Sequence, residues 1–207
     1  MNATFLAIDS QKQQQILNAA MEEFTRKGYK LASTNQIVQV AGISKGLLFH
    51  YFTNKKGLFL FLYDYCLNVV LDDFFGQIDY EQQDILLRLR EILLIKFQLI
   101  SKYPLIFDFL IKADAEDSLD IREDLNSRNQ AIIQESYKKM FAAIDESLFR
   151  PDIDIEKAKH IAMWTIKGFS RQLKGGDKQK KIAEPFDDKI LKELNGYLDT
   201  LKKILYS

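Results

Sequence analysis

Seven residues that could touch a polyanion crowd into one stretch, GISKGLLFHYFTNKK, residues 42–56: Ser44, Lys45, Gly46, Leu47, Phe49, His50 and Tyr51. Together they offer a hydroxyl, an ammonium, an imidazole, a phenol, two apolar surfaces and a backbone position with no side chain. Lys55 follows at the end of the stretch, and Ser33, Thr34 and Asn35 precede it by one short helix. A helix whose N-terminus carries free amides and the positive end of its dipole favours a phosphate. Gly46 lets the backbone approach, and Lys45 adds charge. Leu47 suits a thymine methyl. His50 and Tyr51 can donate to phosphate oxygens or base edges, and Asn35 can reach a base edge. Lys55, Ser33 and Thr34 are placed for the flanking backbone. The chemistry implied is DNA contact.

Catalytic and metal chemistry find less support. The two histidines, His50 and His160, lie far apart and lack acidic or cysteine partners at ligand spacing, so no metal site is expected. No Ser-His-Asp or Cys-His arrangement stands out. Gly175-Gly176 has neither a preceding strand nor a following Gly-Lys-Ser/Thr, so it is no phosphate loop. The acid pairs Asp72-Asp73 and Asp187-Asp188 read as surface and caps. Neither an enzyme nor a cofactor is expected.

The elements that must carry these residues are helical. With 47% apolar residues, 28% charged and three prolines in 207 residues, the chain has material for a core and few β-branched runs. The spacing predicts a first helix at about 10–27, with Ser10 and Gln13 as a capping box, Ile16, Leu17, Ala20, Met21 and Phe24 on one face, and Gly28 as its stop. A second helix at 34–41 is capped by Ser33, with Gln36 as the box partner. Gly42 makes the turn, and Ser44 caps a third helix at 45–51. Ile37, Ile43 and Leu48 point inward. Two short helices joined in this way form a helix-turn-helix, and the later one enters the major groove N-terminus first. Phe49 and Phe52 also suit the core of such a unit.

Asn54 caps a fourth helix, 55 to about 75, apolar on nearly every side and therefore expected to be surrounded by protein. Further helices are expected at about 81–101, 104–114 (opened by Pro104), 119–147, 155–173 and 186–205, nine in all, with a basic loop at 175–181. The fold class expected is all-α: a helix-turn-helix domain at 1–54 and a helical body at 55–207. Charge follows the same division. Residues 1–57 hold seven Lys/Arg (12, 26, 27, 30, 45, 55, 56) against three Asp/Glu (9, 22, 23), and the remainder is correspondingly acidic because the whole chain is neutral. The single Cys66 excludes an internal disulfide and, with no leader-like opening segment and no run of ~20 apolar residues, points to the cytoplasm.

The pattern running from Ala19-Ala20 through Phe24, Lys27-Gly28-Tyr29, Ser33-Thr34, Ile37, Ala41-Gly42-Ile43-Ser44-Lys45-Gly46, Phe49-His50-Tyr51-Phe52 and Lys55 to Leu58 resembles the N-terminal domain of TetR-family (tetracycline-repressor-type) regulators. The resemblance covers roughly residues 10–62. Four positions depart from it. Val38 stands where alanine is frequent, Leu47 where threonine is, Phe49 where tyrosine is, and Gly57 where an acid is, so the base sequence read is left open. The resemblance implies a regulator, a repressor in the first instance, released from DNA when a ligand held in the body shifts the fourth helix.

In the body, Leu191, Leu194, Leu198, Leu201 and Leu205 recur at spacings of three and four. With Ile161, Gly168 and Phe169 they are expected to form a four-helix interface with a second copy, the other possibility being an internal packing face. A homodimer places two recognition helices on a palindromic operator. Phe97, Tyr103, Phe107, Tyr137, Phe141 and Trp164 make the body rich in rings, and the resemblance implies a pocket among them for an apolar or amphipathic small molecule. Arg88, Lys96 and Lys112 are candidates to meet a carboxylate there. The alternative is a DNA-binding protein whose body is a protein-interaction module without an effector.

Overall fold

The structure, a computed structural model, describes residues 3–175 and 188–207. Among these the regular elements are ten α-helices: α1 (Ala3–Leu6), α2 (Ser10–Leu31), α3 (Thr34–Ala41), α4 (Lys45–Phe52), α5 (Lys55–Gln77), α6 (Ile85–Lys102), α7 (Pro104–Asp114), α8 (Arg122–Met140), α9 (Ile155–Gly175) and α10 (Asp188–Leu205). A single 3-10 turn, Glu146–Leu148, and an isolated bridge between Phe149 and Tyr206 complete them. The all-α expectation holds, with α1 as the helix that periodicity missed. The basic loop read at 175–181 lies, apart from Gly175, outside the described residues.

Several boundaries differ for local reasons. The cap of α2 is Asp9, whose side chain accepts from the Lys12 amide at 3.0 Å, and not Ser10. Gln13 turns instead to the carbonyls of Leu6 and Ile8. Gly28 does not end the helix outright. It kinks it with φ 72° and ψ 171°, and a last turn continues to Leu31. α6 starts at Ile85 and not at 81, because the Asp84 carboxylate takes the amides of Leu86 and Leu87. α8 ends at Met140 rather than 147. The Arg88 guanidinium occupies the carbonyls of Met140 and Ala142, where a continuing helix would have placed amides.

The chain forms two compact units, Met1–Asp72 with Tyr103–Ile132, and Asp73–Lys102 with Ile133–Ser207. This grouping draws its line elsewhere than residue 54. In the first unit α7 packs on α2. Phe109 is fully buried, with its ring 5.3 Å from Phe59 and 6.4 Å from Phe24. The helix-turn-helix therefore shares one core with α5 and α7. Phe5 seals its other side against Tyr51, Phe52 and Phe61. Cys66 is buried with its Sγ 3.6 Å from Met21 Sδ, and burial pushes its thiol up to about 12.

In the second unit α6, α9 and α10 pack on one another. Leu194 is fully buried, and Leu198, Leu201, Leu205 and Phe169 nearly so. These five residues, expected at an interface with another copy, are the inside of this unit. α10 has a single broad apolar face, and α6 and α9 cover it. Of the residues proposed for that interface, Ile161 and Gly168 stand exposed and Leu191 is half-buried. The exposed apolar residues of α9 and α10 are Ile161, Trp164 (63% exposed), Tyr197 and Ile204. Arg88 is not available to a ligand. It has no exposure, and its donors go to the carbonyls of Tyr80, Gln82, Met140 and Ala142.

Candidate nucleic-acid interface

The short helices α3 and α4 are built by local chemistry that the sequence announces. Ser33 caps α3 by accepting the Gln36 amide at 3.4 Å, and Ser44 caps α4 by accepting that of Leu47 at 3.1 Å. Gly42 between them is left-handed, φ 60° and ψ 43°. Ile37 and Leu48 have no exposure and Ile43 is half-buried against the same core, so the two helices are held from their inner faces.

Long-range contacts finish the job. Lys12 on α2 donates to the carbonyls of Ala41 and Gly42, at 3.0 and 3.2 Å, closing the C-terminus of α3. The buried Glu23 accepts the Ser33 amide at 3.0 Å and bonds Arg26. Burial alone would raise the Glu23 pKa. The Ser33 amide and the Arg26 guanidinium outweigh it and hold the carboxyl below its ordinary value. Glu23 thus takes the reciprocal role that the sequence assigned to Gln36. Its identity as a carboxylate on an otherwise apolar face was the one available signal.

Most of the residues proposed for DNA contact lie on the outward face. Ser33, Asn35, Ser44, Lys45, Gly46 and His50 are exposed, Leu47 is 37% exposed, and Thr34 and Phe49 are half-buried. Two residues stand differently. Tyr51 is only 6% exposed, with its ring edge-on to Phe5 at 5.5 Å, so its ring belongs to the core. Lys55 donates to the carbonyls of Lys30 and Ala32, at 3.1 and 3.4 Å, and lies 4.9 Å over the Tyr29 ring. It closes the end of α2.

Pairing also redistributes the charge of this region. Arg26 binds Glu23, Lys30 faces Asp117 at 3.6 Å, and Lys56 meets Asp124 at 2.8 Å. Lys45, in the first turn of α4, pairs with no carboxylate among the described residues and lies 5.9 Å from the Phe49 ring. Positive charge is therefore left at the N-terminus of the outer helix, where the dipole adds to it.

Gly57 is a further fit. A Cβ there would stand 2.2 Å from the Phe52 carbonyl oxygen, so the glycine lets α5 begin directly against the end of α4. It does not simply weaken the helix start, as its propensity suggests. Asn54 accepts the Gly57 amide at 2.8 Å and caps the helix as expected.

Residues 16–62, which contain this whole arrangement, match the family described as bacterial regulatory proteins, tetR family. This segment is a TetR-type helix-turn-helix. The chain is 38% identical over 53 residues to the HTH-type transcriptional repressor AcnR of Corynebacterium diphtheriae, covering 26% of this chain and 28% of that one. It is 29% identical over 97 residues to the HTH-type transcriptional regulator RutR of Escherichia coli, covering 46% and 44%. The matched part thus spans less than half of either curated relative. The fold extends further than the sequence likeness. A TetR family transcriptional regulator from Chloroflexus aurantiacus superposes with a TM-score of 0.66 at 18% identity, covering 99% of this chain and 97% of that one. TylP, a TetR regulator from Streptomyces fradiae, does so at 0.62 and 20%, covering 96% and 88%.

The six rings proposed for an effector pocket do not fall in one unit. Tyr103 and Phe107 belong to the first unit, and Phe97, Tyr137, Phe141 and Trp164 to the second. Within the second, Tyr137 lies against Phe141 and stacks on His160, which stacks on Trp164. A cleft of about 650 Å³ in that unit is walled by other residues, among them Asp84, Asp199, Lys202 and Tyr206. Among the described residues no cluster of His, Cys, Asp and Glu suits a metal, and no helix is long and apolar enough to cross a membrane.

Proposed function

We propose that this chain is a dimeric transcriptional regulator, acting as a repressor on a palindromic operator and released by an apolar or amphipathic small molecule. The observation that carries the DNA-binding part is the outer face of α4. Its capped N-terminus, a Lys45 with no acidic partner among the described residues, a bare Gly46 and an exposed Leu47 share one surface, while Ile37 and Leu48 fix the helix from behind. Such a face suits phosphate contact beside major-groove readout. The contact set is Ser33, Thr34, Asn35, Ser44, Lys45, Gly46, Leu47, Phe49 and His50, with Tyr51 and Lys55 acting from behind as supports. Functionally, residues 1–54 read DNA and 55–207 hold the effector and the dimer interface.

Dimerisation is supported by the apolar residues that α9 and α10 leave exposed: Ile161, Trp164, Tyr197 and Ile204, beside Gly168. The effector part rests on the ring-rich body and on the family. Selection of bound sequences from random duplexes tests the whole reading. Paired inverted half-sites are expected. Recovery of unpaired or unrelated sequences would defeat it.

A further inference from the structure

The kink at Gly28 sets up a junction that the DNA contacts do not use. With φ 72° and ψ 171°, Gly28 takes the Tyr29 amide out of the helical ladder, and a buried amide needs a partner. The partner is Glu116, on the turn between α7 and α8, whose Oε2 accepts from Tyr29 N at 2.9 Å. The same carboxylate holds its own turn by accepting the Ser118 amide at 3.1 Å. A Cβ on residue 28 would stand 3.3 Å from Glu116 Oε2. Four residues further on, the Tyr29 hydroxyl donates to Asp120. Burial and that carboxylate together raise the phenol's pKa.

Tyr29 is thus held twice by one turn, through its backbone and through its ring. Its ring also carries Lys55, which binds the carbonyl of Ala32, the residue before the Ser33 cap of α3. The apolar contacts of Phe24 and Phe59 with Phe109 hold α2 and α5 to α7, but apolar contact is not directional. Hydrogen bonds are directional.

We propose that Glu116 and Asp120 are positioning residues that set the angle of α3 and α4 through Tyr29, and so set the half-site spacing that a dimer accepts. The proposal rests on the dimeric DNA-binding reading above. Neither residue touches DNA. They decide where the reading helices stand, not which bases they read.

The test repeats the random-duplex selection in parallel with the full-length chain, Tyr29→Phe, Glu116→Ala and Asp117→Ala. Tyr29→Phe removes one oxygen and no charge, and it carries the test if Glu116→Ala does not fold. Asp117→Ala removes the same charge as Glu116→Ala from the same turn, but loses only the loose contact with Lys30. The unaltered chain is expected to recover inverted half-sites concentrated at one spacing. Tyr29→Phe and Glu116→Ala should recover the same half-site sequence with the spacing preference reduced about tenfold, the scale of one hydrogen bond to a charged acceptor. Asp117→Ala should keep the original distribution. Unchanged spacing in Tyr29→Phe and Glu116→Ala would overturn the proposal while leaving the dimeric reading intact, and so would equal broadening in Asp117→Ala. Failure of the unaltered chain to recover paired half-sites would overturn both.

Discussion

Helix α4 and helix α10 carry opposite kinds of signal. α4 has eight residues, little amphipathic pattern and an exposed N-terminal face. α10 has eighteen residues and the most regular leucine spacing in the chain, and all of its leucines but the half-buried Leu191 are inside their own unit. The weakly patterned helix is the one presented outward, and the strongly patterned one is internal. Periodicity reports that a face is covered by protein, but does not say by which molecule. What remains exposed after the unit has packed is the better guide to a partner. On α9 and α10 that is the Trp164 face and not the leucine seam.

The sharpest way to break this comparison is to put one charge on each face. Leu198→Glu buries an unpaired carboxylate in the second unit, and is expected to cost about 3–5 kcal/mol and unfold that unit, seen as loss of its cooperative melt. Trp164→Glu should leave the melt in place and yield monomers in sedimentation. A folded Leu198→Glu monomer, or a Trp164→Glu dimer, would restore the seam as the interface. Next in size, Phe109→Ala should destabilise the helix-turn-helix by about 3–5 kcal/mol although it lies some fifty residues outside it, because the two share a core. A head whose thermal stability ignores this substitution would be an independent domain. The smallest effect separates two lysines. Lys45→Ala should flatten the salt dependence of DNA binding by about one counterion with the melting temperature unchanged. Lys55→Ala should lower the melting temperature, since it uncaps α2. Identical behaviour of the two would put Lys55 back among the phosphate contacts.

Legibility in the sequence followed the range of the interactions. The caps Ser33, Ser44 and Asn54 and the turn at Gly42 act over three or four residues, and their positions were readable directly. So were the inward faces of Ile37 and Leu48. The Lys12, Lys55 and Glu23 contacts were not, because each joins a terminus of one helix to a side chain from another element 10 to 30 residues away. The same holds for Phe5, whose four-residue helix is too short to show a period, and for Gly57, whose value lies in a carbonyl five residues back. Charge counting placed an excess on residues 1–57, but could not show that, among the described residues, Arg26, Lys30 and Lys56 are matched by acids and Lys45 is not.

The burial of Cys66 has a practical corollary. A chain with one thiol, silenced by packing against Met21, is already a blank background for site-directed labelling. A second cysteine introduced at an outward position such as Ser44 would react alone. If the chain pairs as proposed, a spectroscopic ruler between two copies would then measure how far apart the two α4 helices stand, with no native residue first needing to be removed.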